Sequence, residues 1–107
     1  MVLVDMEYDE HTYRYTVHIA QFDPEQLEVT VRDNRLRVSG KGQLATGVQN
    51  PVSKISNQAA AISVDWSTKV SRLADASVPY TISRDKTSSY IHGWILSTII
   101  VAFARKH

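Results

Sequence analysis

From Tyr13 the chain alternates. Tyr13, Tyr15, Val17 and Ile19 fall on one face, with Thr12, Arg14, Thr16 and His18 on the other. A period of two in β-favouring residues predicts a half-buried strand. "QFDPEQLE" interrupts it, because Pro24 cannot donate to a ladder and Asp23 before it favours a turn. Alternation resumes with Leu27, Val29 and Val31 inward against Glu28, Thr30 and Arg32. After Asp33-Asn34 it continues with Leu36 and Val38 against Arg35, Arg37 and Ser39. Asp and Asn tolerate the left-handed backbone of a tight turn, so a hairpin is expected.

Gly40 to Ala61 holds three of the four glycines, Pro51 and no sustained period. It is expected to be a long loop, and a loop of that length is usually functional or mobile. A further strand follows, with Ile62, Val64 and Trp66 opposite Ser63, Asp65 and Ser67. Pro79 ends the pattern after it, and polar Arg84 to His92 is expected to be another loop. "GWILSTIIVAFA", Gly93 to Ala104, is apolar on both faces and predicts a strand covered on both sides. Strands recur with turns between them and no segment has helical period. The class is therefore all-β, a two-sheet antiparallel β-sandwich, forming a single domain over residues 1–107 with the long loop at 42–61.

Composition narrows the function. The 107 residues are 43% hydrophobic and 21% charged, which suits one globular core. Twelve Lys and Arg against eleven Asp and Glu are interspersed along the chain. No nucleic-acid or anionic-membrane footprint is expected from that distribution. The absence of cysteine excludes a thiolate nucleophile and a disulfide scaffold, and fits a cytoplasmic location. The N-terminus lacks the basic region of a secretory signal, and the apolar run is about half the ~20 residues of a spanning helix.

Catalytic constellations are not found. There is no nucleophile elbow, phosphate loop, zinc-helix motif or calcium loop, so neither an enzyme nor a cofactor is expected. His11, His18, His92 and His107 are scattered, which leaves a small hydrolase or metal enzyme without a ligand set. Asp23 and Glu25 could be a carboxylate pair, but flanking Pro24 they fit a turn better. Trp66 and Trp94 could stack a ligand, yet both occupy inward strand positions and are expected in the core.

The stretch "YTVHIAQFDPEQLEVTVRDNRLRVSGK", Tyr15 to Lys41, resembles the first half of the alpha-crystallin domain of small heat shock proteins. The shared features are F-x-P-E-x-L-x-V-x-V, a short turn, and L-x-V-x-G-K. More loosely, Leu73, Pro79, Thr81 and Ile82 match the later turn region of that domain, and "HGWILSTIIV" its glycine-led strand. Ala74 departs from the usual proline. The resemblance implies an immunoglobulin-like sandwich that dimerises either by exchange of a strand carried on a long loop or by pairing of one extended strand edge; the length of Gly42 to Ala61 favours exchange, with "VSKIS" as the exchanged strand. It implies an ATP-independent holdase that binds partly unfolded client proteins and self-associates as a homodimer.

The resemblance places the client groove between the hairpin strand and the glycine-led strand, with Leu27, Val29 and Val31 on one side and Ile95, Leu96 and Ile99 on the other. Dimer contacts fall on Val52, Ile55, Ile62, Val64, Trp66 and Lys69, the last near the family's usual arginine position. Two other β-sandwich readings compete with it: a CS-domain co-chaperone adaptor, and a structural or adhesive interaction module.

Overall fold

The computed structural model describes residues 2–43, 61–89 and 94–106. Their strands are β1 (Val2–Tyr8), β2 (Thr12–Ala20), β3 (Leu27–Arg32), β4 (Arg35–Gln43), β5 (Ala61–Lys69), β6 (Ala74–Asp75), β7 (Thr81–Ser89) and β8 (Trp94–Arg105). A 3-10 turn at Pro24–Gln26 precedes β3. One sheet runs β1-β2-β8-β6, with β7 also on β8, and the other runs β3-β4-β5. All described pairings are antiparallel. The expected all-β sandwich is the observed architecture.

The core follows the alternation. Tyr13, Tyr15, Val17 and Ile19 of β2 meet Leu27, Leu36 and Val38 across the sandwich, together with Ile99, Val101 and Phe103 of β8. Tyr15 is buried, and its hydroxyl oxygen accepts from the Ser71 N–H (2.8 Å), so the polar tip of a large core side chain is satisfied. Asp33 and Asn34 have φ of 53° and 58°, and Arg32 pairs with Arg35 across them. Two successive left-handed residues match the twist of the flanking strands and fix the hairpin register.

Four differences from the pattern have physical causes. β4 continues through Gly40 and Gly42, which pair with Val64 and Ile62, so the loop loses both of its expected ends. The glycines are strand residues where the 3-10 turn crosses close above, since a Cβ on Gly40 would lie 2.7 Å from the Gln26 carbonyl oxygen. Most of Arg84–His92 belongs to β7 instead of a loop: an edge strand exposed along its length has no hydrophobic period to show, and its backbone pairing with β8 decides. β1 falls where the pattern marks no element, with Leu3, Met6 and Tyr8 exposed. Finally, β8 is buried on its inner face at Ser97, Ile99, Val101 and Phe103, while Leu96, Thr98, Ile100 and Ala102 on the other face are half-buried. The expected cover on both sides is not observed among the described residues.

Candidate functional site

β3 pairs only with β4, and β7 only with β8, among the described residues. Both are edges, and they stand on the same flank of the sandwich. Ile82, Arg84 and Lys86 of β7 sit opposite the buried Val101, Ile99 and Ser97, which puts them on the inner side of their sheet. They are nevertheless exposed. The five-stranded sheet therefore overhangs the smaller one along this flank, and the space beneath the overhang opens onto the β3 edge.

Two cations close one end of that opening. Arg84 Nη1 donates to the Leu27 carbonyl (2.6 Å) and the Pro24 carbonyl (3.1 Å), and Lys86 Nζ donates to Asp23 Oδ2 (3.3 Å). The rigid guanidinium fork lets one side chain reach carbonyls of both the turn and β3. Asp23 also caps the turn: its Oδ1 accepts from the Glu25 N–H (3.2 Å), while Gln26 Oε1 accepts from the Asp23 N–H (2.9 Å). The Glu25 bond, and then Lys86, hold the Asp23 carboxyl below the ordinary range. The acidic pair expected to belong to a turn does so.

The predicted groove residues divide. Leu27 and Ile99 are core residues, at 3% and 0% exposure. Val29 and Val31 are half-buried on the inner face of β3 and pack against the core, while Ile95 is half-buried on the inner face of β8. Leu96 alternates to the outer face, beside Ala20 and Thr87. It does not join the others. The glycine-led strand is also not the far wall of the opening. β8 is central, paired with β2 on one side and with β6 and β7 on the other, so the edge facing β3 belongs to β7. Arg84 and the 37% exposed Ile82 are the residues that sequence reasoning missed as groove candidates. Ile82 lay within the motif resemblance, whereas an arginine serving backbone carbonyls leaves no pattern.

Of the dimer candidates, Val52 and Ile55 lie outside the described residues, as does "VSKIS". Ile62, Val64 and Trp66 are half-buried and pack inward against the core, and Lys69 is exposed at the end of β5. The side chain of Trp94 also lies outside the described set, as do His92 and His107. His18 Nδ1 is 3.0 Å from Thr98 Oγ1, and among the described residues no three His, Cys, Asp or Glu side chains are placed to hold a metal. No helix among them is long and apolar enough to cross a membrane.

The outer face of the smaller sheet carries a bidentate pair, Arg37 Nε to Asp65 Oδ1 (2.8 Å) and Nη2 to Oδ2 (2.7 Å). These bonds hold the Asp65 carboxyl below its ordinary 3.8. A carboxyl depressed in the folded state contributes stability that is full above the unfolded value and is lost as pH falls through the folded one. Asp65→Asn is therefore expected to flatten the fall of the urea midpoint between about pH 5 and pH 2. An unchanged acid limb would mean that the pair carries no linkage.

Comparison with known proteins agrees with this geometry. The family model described as the Hsp20/alpha crystallin family matches residues 5–64. Among solved structures, a small heat-shock protein from Xylella fastidiosa superposes with a TM-score of 0.51 at 16% identity, covering 100% of this chain and 88% of that one. No curated protein matches in sequence. With more than half of its length under the family model and the sandwich in place, the chain belongs to the Hsp20/alpha crystallin family of small heat shock chaperones.

Proposed function

We propose that the chain is an ATP-independent holdase that takes non-native segments along the β3 edge, beneath the β7 overhang. The observation that carries this reading is the pair of facing strand edges. Each has unpaired backbone groups among the described residues, with Val29, Val31 and Ile82 as incompletely covered apolar side chains between them. An exposed edge beside apolar side chains binds extended chains through backbone hydrogen bonds, and alternate side chains fill the hollow. Unfolded proteins supply both features without a shared sequence. The reading needs no cofactor, and its partners are partly unfolded clients and a second copy of the chain in a cytoplasmic setting.

The test is suppression of heat-induced aggregation of an unrelated protein without ATP. Wild type is expected to suppress at substoichiometric amounts, and failure to do so sinks the reading. Arg84→Gln removes the charge that occupies the Leu27 and Pro24 carbonyls, and is expected to lower the amount needed by roughly two- to fivefold, on the order of 0.5–1 kcal/mol of released hydrogen bonding. If wild type protects but Arg84→Gln and Val29→Asp both behave like it, clients are held elsewhere.

For the homodimer we hold to strand exchange through the long segment, with "VSKIS" as the exchanged piece. Deletion of Val48–Ser56 is expected to give a monomer by light scattering. A persistent dimer would point to pairing at the β5 edge instead.

A further inference from the structure

The register assembles a feature that the interspersed sequence hides. Arg32 of β3 lies directly opposite Arg35 of β4, and Arg35 lies directly opposite Lys69 of β5. Three cations thus form one row across the outer face of the smaller sheet, and all three are exposed. Like charges placed directly opposite destabilise a sheet. No carboxylate relieves them among the described residues: Arg35 donates to the neutral Ser67 hydroxyl (3.1 Å), while Asp65 is committed to Arg37 in the neighbouring row. Beside the row, Arg32, Arg35 and Arg37 line an open depression of about 460 Å³, together with Glu28, Thr30 and Asp33.

The complementary charge is on the other sheet. Between Val2 and Thr12 the chain has four carboxylates, Asp5, Glu7, Asp9 and Glu10, and no lysine or arginine. Asp9 is held in the turn by the His11 and Thr12 N–H groups (2.8 Å each). Asp5 and Glu7 sit opposite Thr16 and Arg14 on the outer face of the larger sheet, both exposed. Of these two, Glu7 has Arg14 Nη1 at 3.7 Å, and among the described residues no ion pair involves Asp5. Two residues apart on one face of a strand, they stand about 7 Å from each other, and the cation row spans about 10 Å over its three strands. The spacings match to within the reach of the side chains.

The two outer faces of a sandwich point away from each other, so the acids of one molecule cannot reach its own row. We propose that the Arg32–Arg35–Lys69 row is a docking surface for the acidic β1 strand, Asp5 and Glu7, of a second copy of this chain. The contact is heterologous: it joins two different patches, so each molecule keeps one of each free and can add another neighbour. Glu28 and Asp33 beside the row disfavour a long phosphate backbone, which would have to run past them, whereas two carboxylates about 7 Å apart are matched by the span of the row itself. Charged residues on β1 also guard an edge against unwanted pairing. Edge protection accounts for single charges on β1, β3 and β5, but not for three like charges placed directly opposite one another.

Sedimentation velocity of the full chain over a concentration series tests this. Wild type is expected to gain mass with concentration at low ionic strength and to lose that gain in about 1 M NaCl, where the Debye length is roughly 3 Å. Arg32→Glu/Arg35→Glu and Asp5→Lys/Glu7→Lys are each expected to weaken the growth by about tenfold or more. Mixed together, the two variants present an acidic row to a basic strand and are expected to associate again. Far-UV circular dichroism checks that both fold, and the mixture distinguishes lost contact from lost structure. Growth that ignores salt and both reversals overturns the proposal. So does a mixture that stays dispersed, or a row reversal that abolishes heparin binding while self-association is unchanged, which would assign the row to a polyanion.

Discussion

Phe103→Ala is expected to cost about 3–5 kcal/mol of folding stability. Phe103 is 1% exposed, meets the Tyr15 ring edge-on (centroids 5.9 Å apart, planes at 90°) and lies against Tyr80 at 5.3 Å. It belongs to the central strand and pairs in register with Tyr13 of β2, so the hole left by alanine is ringed by side chains anchored in two paired strands. They cannot close in far. Against a total of about 5–15 kcal/mol for a domain of this kind, the loss takes a large part of the reserve. At roughly 4–8 °C per kcal/mol for such a size, the midpoint should fall by about 12 °C at least. Urea and thermal unfolding read this directly. A change below about 1 kcal/mol would show that Phe103 does not anchor the aromatic cluster to the core.

Gly40→Val is expected to destabilise the domain for a different reason. The first side-chain carbon would stand 2.7 Å from the Gln26 carbonyl oxygen and 2.9 Å from Leu27 Cδ2. A leucine tip can rotate, but a backbone oxygen moves only with its turn. Overpacking of this kind costs about 1–3 kcal/mol. The displaced turn also carries Asp23 and Pro24, the acceptors of Lys86 and Arg84. Gly42 is the control. There the nearest atom is Gln26 Nε2 at 2.6 Å, the far end of a side chain whose displacement gives up the Asp23 N–H bond but leaves the backbone of the turn in place, so Gly42→Ala should cost less. Urea midpoints for Gly40→Ala and Gly42→Ala decide it, and equal losses would contradict the distinction between rigid and yielding neighbours.

The strands that face the core on one side were legible because their chemistry repeats every second residue. β2, the β3–β4 hairpin and β5 all show this, down to the inward set Leu36 and Val38. β7 was illegible because neither of its faces is covered, and hydrogen bonding to β8 has no residue signature. Gly40 and Gly42 suggested a loop when they mark the close passage of another segment. The proposed client groove shows the same limit. The inward positions of β3 were found from periodicity, but periodicity does not say which strand lies across the sandwich from which edge. An apolar run such as β8 marks a central strand, whereas β7, which borders the opening, is polar and carries no such signal. The cation row likewise depends on register, since Arg32, Arg35 and Lys69 share a row only once the strands are paired.

The strand order also sets which parts of the domain can open independently. β8 is bonded to β2 along one side and to β7 and β6 along the other, whereas β1, β3 and β7 are each tied along a single side among the described residues. Backbone amides in the central pair β2–β8 are expected to exchange with solvent only when the domain unfolds, and those of the flanking strands through smaller excursions. Warming would therefore loosen the perimeter of the molecule first. A protein built this way can vary how much sticky edge it offers over a range of temperatures in which its centre remains intact.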